Sequence, residues 1–213
     1  MGQKVNPIAF RLATNKNWRS TWAIDDKKKY RNRLLEDIRL RRFLRERLKL
    51  SGLVETTIER SFNRMKIILL VTRPGVVIGR GGKNLEVLKK ELCKMISLEQ
   101  PENNLEIAIE EVENPNLSAV FIAERIASQL ENRMRHRRVI QKELDRVMQA
   151  GAGGIKIRLA GRIDGAKIGR CEKFSKGAVP TSTIRAEIKF AQRAALTRKG
   201  YVGIKVWIYC GEK

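Results

Sequence analysis

The 213-residue chain is short of most of what an enzyme is built from. It holds one histidine, His136, and three widely spaced cysteines, Cys93, Cys171 and Cys210, with no C-x-x-C pair. Metal and catalytic constellations usually need a second His or a Cys pair close by, so no metal site, cofactor or catalytic centre is expected. The cysteines read as reduced, buried, small apolar residues. His136 lies among Arg133, Arg135, Arg137 and Arg138, which suits a contact to an RNA backbone or plain exposure. Long apolar runs are missing too. The longest aliphatic run, Ile67 to Val71, is far below the roughly 20 residues of a membrane span. The opening Met1-Gly2-Gln3-Lys4-Val5-Asn6 has no apolar signal core, and Asn6 stands where myristoylation wants Ser or Thr. A cytosolic protein with no membrane partner and no small-molecule substrate is expected.

Neither glycine run completes a nucleotide motif. Around Lys83 a P-loop would need Gly at Val77 and Ser or Thr at Asn84, and a dinucleotide pattern begun at Gly79 would need Gly at Asn84. Gly151-Ala152-Gly153-Gly154 leads into a strand-like run instead of opening a helix.

Acidic residues are scarce: 23 Asp and Glu stand against 45 Lys and Arg, a net charge of +22. Such an excess repels itself in a compact monomer and fits a polyanionic partner, nucleic acid or an anionic membrane surface. With 42% hydrophobic residues the chain can still build cores, which argues against wholesale disorder. The charge is uneven. Residues 1 to 51 carry 15 basic and 5 acidic side chains, 52 to 114 carry 9 and 10, and 115 to 213 carry 21 and 8. Within the neutral middle, residues 71 to 94 hold six basic and two acidic groups, so a basic surface is localised there as well.

After Asp25-Asp26, a helix N-cap signal, Tyr30, Leu34, Ile38, Leu44 and Leu48 fall at helical spacing. Ser51-Gly52 ends that helix. Strands follow over Leu53 to Arg60 and Met65 to Thr72, and Pro74-Gly75 breaks the chain. Val76-Val77-Ile78 and the glycine run then lead into a helix with the stripe Leu85, Leu88, Leu92, Met95 and Ile96, stopped by Pro101. Leu105, Ile107 and Ile109 alternate with polar neighbours as a strand with one wet face. The order is helix, strand, strand, short helix, helix, strand.

Asn114-Pro115-Asn116 marks a boundary. Beyond it one helix packs Val120, Ala123, Ala127, Leu130 and Met134, and a second packs Ile140, Leu144 and Val147 and closes at Gly151. Alternating strands follow at Ile155 to Leu159, Ile184 to Phe190 and Val202 to Ile208, with Asp164-Gly165 as a hairpin signal. The expected fold is α+β, with an antiparallel sheet and two helices on one of its faces in the second domain. The other face would show Lys, Arg, Trp and Tyr, which suits RNA or protein as well as plain solvent. The expected organisation is a basic N-terminal arm over 1–24, a first domain over 25–114 and a C-terminal α+β domain over 115–213.

In Gly79-Arg80-Gly81-Gly82-Lys83, glycines three apart bracket a turn between two helices. Without a Cβ the backbone can approach a sugar-phosphate chain, the next helix offers free amides, and Arg80 and Lys83 add charge. Taken alone, the pattern is equally an ordinary helix-turn-helix bend. Between these helices and strands it resembles the KH domain, whose loop clamps about four nucleotides. The helix and strand ahead of the core resemble the prokaryotic, type II form.

From Met1-Gly2-Gln3-Lys4-Val5-Asn6-Pro7 and Phe10-Arg11-Leu12 through Pro74-Gly75-Val76-Val77-Ile78-Gly79 to Gly203-Ile204-Lys205-Val206-Trp207-Ile208, the chain resembles the family of bacterial small-subunit ribosomal protein three. That resemblance implies a structural constituent of the subunit head, bound to 16S rRNA beside the pore through which messenger enters, with small-subunit proteins ten and fourteen as neighbours. It also implies that basic residues opening the second C-terminal-domain helix face mRNA and help unwind it: Arg137 and Arg138 here, with Gln141 at the family's third, usually Lys, position and Lys142 beside it. Lys4, Arg11, Lys16 and Arg19 would make the arm an rRNA-binding segment, of the kind that folds only on RNA. Two other readings compete. A free KH-type RNA chaperone or assembly factor would share the loop but hardly need the arm. A lyase working through a Schiff-base Lys has no Lys singled out by an apolar or polycationic pocket.

Overall fold

The structure, a computed structural model, describes residues 3–12, 14–62, 64–96 and 104–212. The chain divides into two units. Residues 18–113 form one, and the chain on either side of them, up to 17 and from 114, forms the other. The first 24 residues are therefore not one separate arm: they are shared between the units, cut between Asn17 and Trp18.

In the central unit, α1 (Lys27–Arg47) begins at Asp26, whose side chain accepts a hydrogen bond from the Lys28 N–H at 2.9 Å. Only the second half of its stripe is core. Leu40, Leu44 and Leu48 are buried, whereas Tyr30, Leu34 and Ile38 stay exposed. The first half meets the entering chain instead: the Trp22 and Tyr30 ring centroids lie 5.2 Å apart. That sheet runs β1 (Ser20–Thr21), β2 (Leu53–Arg60), β3 (Met65–Val71), β4 (Leu105–Glu111); β2 and β3 pair antiparallel, and β1 with β2 and β3 with β4 pair parallel. Ile58, Met65, Ile67, Leu69 and Val71 carry its buried face.

The short strand β1 was not legible in the sequence. Asp37, buried on α1, accepts hydrogen bonds from Ser20 Oγ at 3.0 Å, Trp22 Nε1 at 2.9 Å and Arg60 Nε at 3.0 Å. One carboxylate thus ties the entering chain to α1 and β2. Between β3 and β4 lie α2 (Pro74–Ile78) and α3 (Lys83–Cys93), joined by a 3-10 turn at Arg80–Gly82. Leu88 and Leu92 are buried from α3, Ile96 is buried just beyond it, and Met95 is exposed. Pro101, the expected stop, lies outside the described residues.

In the other unit, α4 (Ala119–Glu131) starts at Ser118, whose Oγ accepts from the Phe121 N–H. Next, α5 (His136–Gln149) ends in a Schellman motif: Gly151, at φ +88°, donates its N–H to the Met148 carbonyl, and the Ala152 N–H reaches the Val147 carbonyl. Four antiparallel strands follow, β5 (Gly154–Gly161), β6 (Arg170–Gly177), β7 (Ala186–Thr197) and β8 (Gly200–Glu212), in the spatial order β6-β5-β8-β7. The core lies between this sheet and both helices, with Ile122, Ile126, Ile140, Val147, Ile155, Ile157 and Ile204 fully buried.

Three expectations change here. Strand β6 went unpredicted because it is a polar edge strand with no apolar alternation. Ile184 is exposed and precedes β7. Trp207, expected on an open face, is only 6% exposed, because Ala186, Ile188, Val179 and Phe190 pack against it in a small second cluster.

Candidate nucleic-acid interface

The glycine loop is built by backbone conformation. Gly79 sits at φ +72°, ψ −178°, a region closed to side-chain-bearing residues, and a Cβ there would come within 2.6 Å of Asn84 Cγ. Asn84, the residue that spoils the P-loop pattern, donates from Nδ2 to the Val76 carbonyl at 3.2 Å and so holds the end of α2 against the start of α3. Gly81 and Gly82 are also left-handed, at φ +62° and +78°, but a Cβ on either would meet open space. Arg80, Gly81 and Lys83 are exposed, and Lys83 opens α3. Exposed Val76 and Ile78 beside them give apolar surface against which a base can lie, next to free amides and two cations that suit its phosphate.

The second expected site is made of side chains. Arg137, Arg138, Gln141 and Lys142 are all exposed on one stretch of α5. Gln141 Nε2 donates to Asp145 Oδ1 at 3.3 Å, and Asp145 also pairs with Lys176 at 2.7 Å, a bond that holds its carboxyl below the usual range. Neither Arg137, Arg138 nor Lys142 has a partner among the described residues. The first turn of α5 contains no acidic residue, and its cap residue, Arg135, makes no side-chain cap bond. Cations at the positive end of a helix dipole are each unfavourable by about 0.3–1 kcal/mol.

What offsets this repulsion is His136, the residue expected to touch RNA or lie exposed. It is 3% exposed, with Nδ1 2.7 Å from Asp164 Oδ2 and Nε2 2.9 Å from Glu172 Oε2, and its ring meets Phe174 edge-on. Two carboxylates from the strand side thus supply the negative charge that the helix lacks. Behind them, buried Glu143 on α5 pairs with Arg125 of α4 and with Arg146 at 3.0 Å. Sequence reading missed both clusters, since their partners lie 18 to 36 residues apart.

The arm residues separate into different roles. Arg11 is fully buried: Nε donates to the Ala186 carbonyl at 2.8 Å, Nη1 to Pro7 at 3.0 Å, and Nη2 to Thr181 at 3.1 Å and Thr183 at 2.7 Å. A guanidinium enclosed by the chain's own carbonyls cannot also bind RNA, so Arg11 is corrected to a structural clamp; Pro7 and Arg11 are buried, whereas Lys4, Val5 and Phe10 are exposed. Lys16 pairs with Glu187 at 3.7 Å and Arg19 with Glu55 at 2.6 Å. Lys4 remains exposed, 5.6 Å above the Trp207 ring. Desolvation, then Lys156, Lys173 and Arg158, lower its pKa. The cysteine expectation also fails in part. Cys171 is exposed on β6, where its Sγ accepts from Arg158 Nε at 2.9 Å; Cys93 and Cys210 are half-buried, and burial pushes the Cys210 thiol up.

Two units, one carrying a KH-type glycine loop and the other a basic helix start, define a KH-type RNA-binding protein. Residues 39–117 match the KH domain family, and residues 126–208 match the family described as ribosomal protein S3, C-terminal domain. The small ribosomal subunit protein uS3 of Persephonella marina is 44% identical over the whole chain and 92% of the relative. That of Salinibacter ruber is 44% identical over the whole chain and 87% of the relative, and that of Desulforamulus reducens 43% identical over the whole chain and 93% of the relative. The chain belongs to the uS3 family of small-subunit ribosomal proteins. It is a ribosomal, RNA-binding protein and not an enzyme. The case against a free chaperone, which rested on its having little need of the basic arm, is joined by this full-length kinship.

Proposed function

We propose that the chain is a structural constituent of the small-subunit head, bound to 16S rRNA, in the cytoplasm, with small-subunit proteins ten and fourteen beside it. In this reading the start of α5 lies at the pore through which messenger enters. The observation that carries it is the pair Arg137 and Arg138: exposed, unpartnered among the described residues, and set against their own helix dipole. Fixed cations that meet no internal anion are free to take phosphates. Unwinding then needs no nucleotide site. Each thermal opening of a messenger hairpin frees a strand whose phosphates these cations hold, and the translocating ribosome supplies the work. Lys142, one turn further on, extends the track. The glycine loop clamps a single-stranded rRNA or messenger segment, and Lys4 adds a cation toward rRNA.

Replacing Arg137 and Arg138 together with Ala should slow elongation through a stable hairpin several-fold, since the opened strand loses two charge-assisted contacts while the translocating ribosome still supplies the work. Elongation on unstructured messages and subunit assembly should stay nearly unchanged. An unaltered ratio between structured and unstructured messages would return both residues to ordinary solvent contacts.

A further inference from the structure

At one end of the C-terminal unit a cleft of about 520 Å³ opens between the α4–α5 turn, the Arg162–Gly165 connection and the β7–β8 hairpin. Its floor is apolar: Leu130, Ile163 and Val202 are buried there, and Met134 is 42% exposed. Met134, expected to be helix core, lies past the end of α4 instead. Around the rim stand the exposed guanidiniums of Arg133, Arg135 and Arg198, none with a partner among the described residues. The carboxylates in the wall are engaged: Glu131 accepts from the Leu196 N–H at 3.1 Å, and Asp164 holds His136. They leave the rim net cationic.

The turn that carries the rim is fixed by the end of α4: Arg133, at φ +60°, is the left-handed residue of a Schellman motif, its N–H reaching the Leu130 carbonyl and that of Met134 the Gln129 carbonyl.

We propose that this cleft seats one nucleotide of a single-stranded RNA, its base against Met134 and the apolar floor and its phosphates on Arg133, Arg135 and Arg198. The volume suits a ligand of that size. An apolar floor accepts the face of any base, and planar guanidiniums match phosphate geometry in two-bond contacts. An acidic peptide would use the rim but leave the floor unfilled. The cleft adjoins the start of α5 through Arg135 and Asp164, but it needs neither the glycine loop nor Arg137 and Arg138, so variants of Arg135 and Arg198 test it separately from the messenger reading.

The test uses the full chain and a short thiouridine-substituted oligouridylate, photocrosslinked and mapped by peptide mass spectrometry. Adducts are expected at Met134 or its neighbours and on the β7–β8 hairpin. Arg135→Glu with Arg198→Glu should lower their yield about tenfold or more, with the melting temperature unchanged because both side chains are exposed. The charge-matched control Lys27→Glu with Arg31→Glu should lower it less than about twofold through the general field. Adducts confined to other segments, or equal losses in variant and control, would overturn the site. Displacement by GTP at equal concentration would make a free nucleotide the ligand and overturn the RNA assignment. Equal displacement by oligoglutamate would reduce the cleft to a bare cationic surface and overturn the proposal entirely.

Discussion

Under the proposed function, the glycine loop and the start of α5 address the same chemistry, a phosphate chain, by opposite means. In the loop the recognition element is backbone, brought to the surface by three left-handed glycines, and the two cations are accessories. On α5 the recognition element is side-chain charge, and the backbone serves only to hold cations where their own helix repels them. The loop should therefore be intolerant of volume and the helix intolerant of charge loss. The two units also stabilise their sites differently: Asn84 fastens the loop with a single amide, whereas α5 relies on the buried His136 between two carboxylates.

The largest expected effect breaks the scaffold of the charge site while leaving its cations in place. His136→Ala removes the buried ring that contacts both Asp164 and Glu172 and should destabilise the C-terminal unit by about 2–3 kcal/mol, read as a lower denaturation midpoint. It should slow hairpin elongation as the double Ala variant does, although Arg137 and Arg138 are intact. Next, Gly79→Ala forces a Cβ into Asn84 at a forbidden φ/ψ and should cost the central unit about 1–3 kcal/mol, with loss of single-strand binding. Arg80→Asp with Gly81→Asp is milder on the fold, because position 81 has room and Asp tolerates φ > 0. Single-strand affinity should fall about tenfold, roughly 1.4 kcal/mol, at an unchanged melting temperature. Normal binding by that variant would make the glycine turn purely structural.

Sequence periodicity revealed the elements whose apolar residues repeat: both helices of the C-terminal unit, β2, β3, β4, β5 and β8, and the α2-loop-α3 motif. It did not reveal β1 or β6, edge strands that bury little and carry no apolar alternation. The exposed half of α1 was misread because spacing cannot report which turns of a helix the sheet covers. At the sites, charge and glycine patterns were legible in Arg80, Lys83, Arg137 and Arg138. Arg11 was misassigned because an arginine at a basic terminus reads the same whether phosphates or five residues' carbonyls satisfy it. His136 was misread for a similar reason: Asp164 and Glu172 are distant in sequence, and only the fold brings them to the imidazole.

The comparison is tested most directly by salt titration of RNA binding, using a single strand long enough to engage both units. The wild-type log-log slope should be about −4 if roughly six phosphates are neutralised. Arg137→Ala with Arg138→Ala removes two released counterions and should flatten the slope by about 1.4. Gly81→Ala, which adds bulk but no charge, should weaken binding equally at every salt concentration and leave the slope unchanged. Parallel behaviour of the two variants, or a wild-type slope near zero, would contradict the division between a backbone site and a charge site.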